Sequence, residues 1–342
     1  MAVSNSKWPL IRLVPKQTHF GFVHFARLAA SLSVILCILS LVSFATGGLR
    51  KNPMDAFNKT QGGFVQKMDA VFADAFNLGI DFKGGVSMEA ISTQPIDIGK
   101  VRDTMHTLSV RDPQVQGFDK PNQIMVRFLS ENDNNDAAIG VVKDALTKTL
   151  PGVTFSHPDV VGSKVSGELY RNGIMALVAA ISFMLVFIWF RFEFQMGVGS
   201  VVALLHDVIL TLGFISVTRI EFSLTSIAAI LTIIGYSMND TVVVYDRLRE
   251  NMRKWKKKPM SELIDLSTNE TLSRTIITGM TTLLALVGLT VIGGSTIQSF
   301  TIAMIFGVII GTYSSIYVAA PFSLLVPRED KKRPEKIVDD RP

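Results

Sequence analysis

The sequence predicts an α-helical polytopic membrane protein, with six transmembrane helices and an α+β ferredoxin-like domain between spans one and two. Three observations support this fold class. Hydrophobic residues make up 48% of the chain and charged residues 18%, and the mean hydropathy is +0.35, more apolar than is usual for a soluble protein. Apolar stretches recur at the length, about 20 residues, that a helix needs to cross a bilayer core. One long polar stretch, 46–170, interrupts them.

Six apolar stretches account for the predicted membrane helices. In chain order they are 26–45, 172–191, 198–218, 223–245, 272–293 and 297–321. The first stretch is longer than the apolar region of a usual signal peptide, and Ser43-Phe44-Ala45 is a poor cleavage pattern. We therefore expect it to be retained as a span. The single cysteine, Cys37, lies within it, so no disulfide can form inside the chain.

The distribution of basic residues predicts the orientation in the membrane. The cations of a chain with net charge +5 gather at the N-terminus, in the loop after the fourth span and in the tail. They are Lys7, Arg12, Lys16 and Arg27; Arg247, Arg249, Arg253, Lys254, Lys256, Lys257 and Lys258; and Arg328, Lys331, Lys332, Arg333 and Lys336. With six spans all three clusters fall on one side, which the positive-inside rule assigns to the cytoplasm. This charge indicates topology and not nucleic-acid binding. The run 246–258 is typical of an anchor for lipid headgroups, with docking to a cytoplasmic partner as the alternative.

The spans and the charges together divide the chain into regions. The predicted regions are a cytoplasmic N-terminus at 1–25, the first transmembrane helix at 26–45, an external domain at 46–170, helices two to six at 171–321 with a basic loop near 246–271, and a cytoplasmic tail at 322–342. Both termini are thus expected in the cytoplasm. The external domain is expected in the periplasm of a Gram-negative-type cell.

The external domain alternates strand-like and helix-like patterns. Residues 85–91 alternate as a strand does, and 97–108 has helical spacing, with Asp97 placed to cap it. The elements that follow are a hairpin of 115–118 and 123–129 around 119–122, a helix at 136–150 and a last strand at 153–161. The order β-α-β-β-α-β predicts a ferredoxin-like fold, which does not by itself specify a function.

The segment 46–78 leaves two interpretations open. Its apolar residues recur at helical spacing: Phe64, Met68, Val71, Phe72 and Phe76. They are compatible with an amphipathic helix lying along the membrane surface. They are equally compatible with a packed helix that bridges the first span to the domain.

Several kinds of chemistry find no support in the motifs. The chain has no G-x-x-x-x-G-K-[ST] sequence for nucleotide phosphates, and its single cysteine and five histidines are scattered without zinc-site spacing. Nothing marks a Ser-His-Asp triad. The sequence therefore predicts a protein that is not an enzyme and has no cofactor and no metal site.

Asp240 is the most informative residue, because it is a carboxylate within the apolar stretch of the fourth span. An ionisable group at that depth costs at least about 2.5 kcal/mol to insert and commonly marks a proton or ion pathway. Thr232, Tyr236 and Asp240 share a helix face by their spacing, and Asn239 adjoins them. Arg274, near the start of the fifth span, is the expected partner of Asp240.

The third span adds His206 and Asp207 at a compatible depth. Acid, histidine, arginine and hydroxyl groups at one level predict a proton pathway of Asp240, Arg274, Asn239, His206, Asp207 and Tyr236. Protonation of Asp240 would release Arg274 and let the helices repack. The alternatives are a static Asp240–Arg274 salt bridge, an Arg274 that extends to the interface, and a His206–Asp207 pair that only bonds neighbouring helices.

Small residues recur every fourth position in the sixth span, at Gly307, Gly311 and Ser315. Such a face permits close helix contact. The contact is either within this chain, which the sequence favours, or with a partner.

Several motifs, in order and spacing, resemble one family. They are Gly79-Ile80-Asp81-Phe82-Lys83-Gly84-Gly85, Arg191-Phe192-Glu193, His206-Asp207-Val208, the run from Gly235 to Arg247, Ser273-Arg274-Thr275 and Gly311-Thr312-Tyr313-Ser314-Ser315-Ile316-Tyr317. Over about 25–321 the chain resembles the SecF subunits of the SecD/SecF family, which is similar to the resistance-nodulation-division transporters. Lys83 stands where many members have threonine, and Met238 where isoleucine is common.

The resemblance implies a function and a set of partners. A SecF subunit forms a heterodimer with SecD, associates with SecYEG, YajC and YidC in the bacterial inner membrane, and contacts membrane lipid and unfolded precursor proteins, but no nucleic acid. The pair uses the proton-motive force to assist late, ATP-independent translocation. Asp240 and Arg274 match the proton-pathway positions of the family, which work with an aspartate of SecD.

Two other classes of function compete with this interpretation. A half-size efflux transporter for small solutes would share the proton pair and the six-span unit, but it would normally carry larger external domains. A structural scaffold that only stabilises a partner leaves Asp240 unexplained.

Overall fold

The computed structural model describes residues 18–49, 63–118, 120–130 and 134–325, together with residue 58. The helices are α1 (Phe22–Ala45), α2 (Phe64–Ala75), α3 (Ile80–Lys83), α4 (Ile98–His106), α5 (Asn135–Thr149), α6 (Ser163–Arg191), α7 (Phe194–Thr218), α8 (Leu224–Lys254), α9 (Met260–Ile292), α10 (Ser295–Ser314) and α11 (Ala320–Phe322). The strands are β1 (Asn77–Leu78), β2 (Gly85–Ile91), β3 (Val110–Gly117), β4 (Gln123–Ser130), β5 (Thr154–Phe155), β6 (Asp159–Val161) and β7 (Glu221–Phe222). The cations predicted at 7, 12 and 16 and in the tail beyond 325 lie outside the described residues.

Six helices are long and apolar enough to cross a membrane, as the sequence predicts: α1, α6, α7, α8, α9 and the helix over Ile297–Phe322. Several of them extend past their apolar stretches. The fourth continues through the basic residues to Lys254, and the fifth begins at Met260, twelve residues before its predicted start. Hydropathy identifies only the part of a helix that must be apolar to lie in the lipid core. Polar residues with good helix propensity continue it into water.

α8 lies at the centre of the helix bundle and packs against α7, α9 and α10. More than half of the apolar window of α7, α8 and the last span is buried, against less than a quarter for α1, α6 and α9. The first group therefore forms the interior. The second group forms the face that lipid or another subunit must cover.

Small residues let the central helices approach closely. A Cβ atom at Gly311 would lie 3.1 Å from the Cβ of Ser237 on α8, and one at Gly307 would overlap Ile233. The stripe on α10 therefore packs within the chain, the alternative that the sequence favoured. The last span also contains a π-helical turn, Ser315–Ala319, before α11.

The domain between α1 and α6 has the ferredoxin-like arrangement. Its sheet has the order β3-β4-β2-β5, and β6 also pairs with β2. All of these pairs are antiparallel. One face packs on α4 and α5 around a core that includes Val86, Met88, Val101, Val126 and Leu146.

The domain elements follow the sequence pattern closely, with two differences. Asp97 caps α4 through its side chain, and β2 covers the predicted 85–91. β3 starts at Val110, earlier than expected, because a bulge between Arg111 and Gln114 accommodates a charged and proline-containing stretch. The predicted last strand is two short strands, β5 and β6, separated by residues 156–158.

The helix α2 resolves the two interpretations of segment 46–78, of which 50–57 and 59–62 lie outside the described residues. Val71, Ala75 and Phe76 are buried, and the ring of Phe76 packs 5.8 Å from that of Phe44 at the end of α1. The packed alternative is therefore the observed one for α2. A surface helix would leave these side chains in lipid.

Candidate functional site

Asp240 is buried in the bundle, with 8% of its surface exposed. Its Oδ1 accepts a hydrogen bond from Thr275 Oγ1 of α9 at 2.6 Å, and its Oδ2 accepts one from Ser315 Oγ at 2.5 Å. Ser315 begins the π-helical turn. The carboxyl group thus links three spans through two hydroxyl donors.

Arg274 does not form the predicted pair with Asp240. Its side chain is exposed on the outer side of α9, and within the described residues no ion pair joins it to Asp240. The reason is helical geometry: successive residues lie about 100° apart around a helix. Thr275 therefore faces inward, and Arg274 faces outward.

The polar residues of α8 are divided between the interior and the surface. Asn239 is exposed, and Thr232 is exposed with its hydroxyl bonded to the Ala228 carbonyl of its own helix. Tyr236 is half-buried, and its hydroxyl interacts with Thr312 and Thr282. Along the predicted shared face of α8, solvent exposure therefore decreases from Thr232 through Tyr236 to the buried Asp240.

His206 and Asp207 are together in the bundle, as their adjacency requires, and they are almost fully buried. His206 Nδ1 lies 2.9 Å from Asp207 Oδ1. Asp207 Oδ2 accepts hydrogen bonds from Ser237 Oγ of α8 at 2.5 Å and from Ser314 Oγ of α10 at 2.7 Å. This second carboxyl group joins three spans as the first does.

The two carboxyl groups meet at consecutive serines. Ser314 donates to Asp207 and Ser315 donates to Asp240, at the start of a π-helical turn, a feature that is frequent at functional sites. A hydroxyl can both donate and accept a hydrogen bond. Each buried carboxyl group is therefore bonded to a hydroxyl group that can act as donor or acceptor, and the two hydroxyl groups are on neighbouring residues.

His206 provides an end to this polar cluster. Its Nε2 is buried and has no hydrogen-bond partner within the described residues. His206 also lines a groove of about 1010 Å³ between α1, α7 and the end of the last span, together with Arg27 and Ser33. Within the described residues, the polar cluster therefore ends at a buried ring nitrogen without a partner.

Four hydroxyl residues of the site were missed in the sequence: Ser237, Thr275, Ser314 and Ser315. The available signal was that Ser237 lies one helical turn before Asp240, and that Thr275 adjoins Arg274. Serine and threonine are ordinary in membrane helices, where they commonly bond their own backbone. Their type alone therefore did not distinguish them.

Comparison with known proteins identifies similar chains. The family model "Protein export membrane protein SecD/SecF, C-terminal" matches residues 141–329, and the "SecD/SecF GG Motif" matches residues 70–90. The chain is similar to "Protein translocase subunit SecF" of Rickettsia bellii (strain OSU 85-389), at 41% identity over 91% of this chain and 94% of the relative. It is also similar to the subunit of that name from Cereibacter sphaeroides, at 40% identity over 94% of this chain and 96% of the relative.

Two solved structures have a similar fold. One is SecDF, a translocon-associated membrane protein from Thermus thermophilus, with a TM-score of 0.74 and 30% identity. The other is SecDF in a super-membrane-facing form, with a TM-score of 0.61 and 29% identity. Each match covers 92% of this chain but only 39% of the solved chain. The present chain therefore corresponds to a part of that longer protein.

Proposed function

This chain belongs to the SecD/SecF family of protein export membrane proteins, and from this we propose that Asp240 couples proton movement to protein export. The chain is a multi-pass membrane subunit of the SecF type in the Sec machinery. With SecD it forms a complex driven by the proton-motive force, which assists late translocation across the inner membrane. Its role is that of a transport component.

The observation that supports Asp240 is its environment. A carboxyl group in the centre of an apolar bundle is costly, yet here it is held by Thr275 and Ser315 from two other spans. When Asp240 gains a proton, it can donate one of these hydrogen bonds instead of accepting it. The hydroxyls must then reorient, and the contacts among α8, α9 and the π-helical turn change with the protonation state.

We assign Arg274 and Asn239 to the face that SecD covers. Both are polar and exposed on spans whose outer surfaces lie in the membrane, where an uncovered guanidinium is unfavourable. A carboxyl group of SecD at that face would pair with Arg274. Asp207, His206 and Tyr236 then extend the pathway on the inner side of α8.

Further partners and the orientation are also part of the proposal. SecYEG, YajC and YidC are the assembly partners, and unfolded precursors are the cargo, on the resemblance described above. The external domain, proposed to span 46–170, lies in the periplasm, and both termini lie in the cytoplasm. This orientation is supported by β7, which joins the domain at one end of α8, and by the basic run 253–258 at the other end.

Replacement of Asp240 by asparagine tests the proposal. The asparagine side chain keeps the size and an acceptor oxygen but has no carboxylate to take up a proton, so proton-dependent export should be abolished. Membrane insertion and co-purification with SecD should be unchanged. The measurement is translocation of a precursor into inverted membrane vesicles, with and without a proton gradient.

Thr232→Val is the matched control. Thr232 lies two turns away on the same helix, and its hydroxyl bonds the Ala228 carbonyl of that helix, so export should remain near the wild-type level. Normal gradient-dependent export by the Asp240→Asn protein, as the only copy in the cell, would contradict the proposal.

A further inference from the structure

The glycine-containing segment 79–85 of the sequence analysis lies far from Asp240, and the proton site does not use it. It begins directly after β1, which pairs in parallel with β7 through Asn77↔Glu221 and Leu78↔Phe222. The Gly79 amide then donates to the Phe222 carbonyl at 2.9 Å. Backbone hydrogen bonds thus attach the start of the external domain to the turn between α7 and α8.

Asp81 extends this attachment to α8 itself. Its Oδ2 accepts a hydrogen bond from the Leu224 amide, the first residue of α8, at 3.0 Å. The first amides of a helix have no partner within the helix, and a negative charge there is favoured by the helix dipole. α8 then continues without a break through Asp240, about 24 Å along its axis.

The sheet of the external domain also contacts this turn. Arg127 of β4 is 6% exposed, and its Nη1 lies 3.3 Å from Glu221 Oε1. Its Nη2 donates to Gln116 Oε1 of β3 at 2.7 Å, which connects the ion pair to the edge of the sheet. A Cβ atom at Gly79 would overlap the end of the Glu221 side chain, so a larger residue there would displace the partner of Arg127.

Aromatic side chains fill the space behind these polar contacts. Phe222 is fully buried, and its ring centroid lies 4.8 Å from that of Phe76 and 5.7 Å from that of Phe82. Phe82 in turn packs 5.7 Å from Tyr170 of α6. Close-packed aromatic contacts leave the segment little freedom to slide on the bundle.

We propose that residues 77–85 and 219–224 form a rigid joint, and that Asp81 is a positioning residue which couples the external domain to α8. A change in protonation at Asp240 that shifts α8 would then move the domain with it, instead of being absorbed by a flexible connection. The inference rests on the proposed function of Asp240. It adds the contacts through which a change in the protonation of Asp240 would be transmitted to the external domain.

Hydrogen exchange on the full chain in complex with SecD, in lipid nanodiscs, tests the joint. In the wild-type background, Asp240→Asn should change the exchange of residues 77–91. In the Asp81→Ala background, the same replacement should change 77–91 less than in the wild-type background, because the bond from Asp81 to the start of α8 is missing. Asp81→Ala should also raise the exchange rate of the Leu224 amide about tenfold, the size expected when a hydrogen bond to a charged acceptor is lost. A purely structural role of Asp81 would lower protection without reducing the response to Asp240→Asn.

Two further variants make the outcome specific. Asp81→Asn keeps the size of the side chain and an acceptor oxygen, so this variant should retain most of the response. A retained response also shows that a chain altered at this position still folds. Lys83→Ala removes an ion pair of the same segment, with Asp112 at 2.9 Å, away from α8, and should retain the full response. A response of 77–91 that is as large in Asp81→Ala as in the wild-type background overturns the role of Asp81. A response that is absent in the wild-type background overturns the joint. Export by the same variants in inverted membrane vesicles distinguishes a failure of the joint from a failure of the proposed role of Asp240. The latter would appear as normal export by Asp240→Asn.

Discussion

Glu221 is a carboxyl group under opposing influences. Its burial raises its pKa above the ordinary value, the nearby Arg127 guanidinium lowers it, and the Asp81 carboxylate raises it further, with burial the largest of the three. The net result is a raised pKa. Between the ordinary value of 4.5 and that raised value, the folded chain binds more protons at this site than the unfolded chain does.

The stability of the folded chain should therefore fall as the pH rises through that window, because unfolding releases the proton. Glu221→Gln removes the titrating group and should make the stability flatter from pH 4.5 upward toward neutrality. Thermal unfolding of the purified chain at a series of pH values measures this. A Glu221→Gln curve as steep as that of the wild type would contradict the assignment.

The residues around Asp240 show how much of the site the spacing of residues along each helix can predict. The spacing correctly put Asp240 and the fifth span at similar depth, since Thr275 bonds Asp240. It did not predict which side of that span faces inward, because the apolar pattern of α9 has no strong direction and its neighbours are known only in three dimensions. Ser315 was missed for a related reason: the π-helical turn that starts there changes the direction of the residues after it.

At the scale of elements, the contact between α8 and α10 depends on Gly311. A valine there would place its branches against Ser237, since even the first carbon would lie 3.1 Å from the Ser237 Cβ. Overpacking of this kind costs about 1–3 kcal/mol. Gly311→Val should lower the thermal unfolding temperature and reduce export, because Ser237 also holds Asp207.

Gly288→Val on α9 is the matched control for that prediction. No heavy atom lies within 4 Å of a Cβ at Gly288, so its unfolding temperature should stay close to the wild-type value. Equal effects of the two valines would show that helix propensity, and not packing against α8, is responsible.

The elements of the external domain were largely predictable, whereas its attachment was not. Alternation in β2 and the Asp97 cap of α4 are local signals, and the structure has both. The pair of β1 and β7 has two residues in each strand, with partners separated by 144 positions along the chain. Strands so short have no periodicity, and only tertiary contacts define them.

At the scale of the whole molecule, the orientation of the chain is open to a direct test that its cysteine content makes simple. Cys37→Ser gives a background without cysteine. Lys100 on α4 and Lys257 in the basic loop are both exposed, so each can be replaced by cysteine in turn. A membrane-impermeant thiol reagent added to intact spheroplasts should label position 100 and leave position 257 unlabelled until the membrane is opened. The reverse pattern would show that the positive-inside prediction is wrong.

The way the external domain is attached also limits how it can be exchanged between relatives. In chain order the domain is an insertion between α1 and α6, which suggests a cassette that could be swapped at its two ends. The joint has a third boundary, because Asp81 and Arg127 meet their partners at Leu224 and Glu221, after two further membrane helices. A chimera that takes the domain alone would place foreign side chains against the native turn. A functional transplant must therefore carry residues 219–224 with it, as a separate graft distant in sequence.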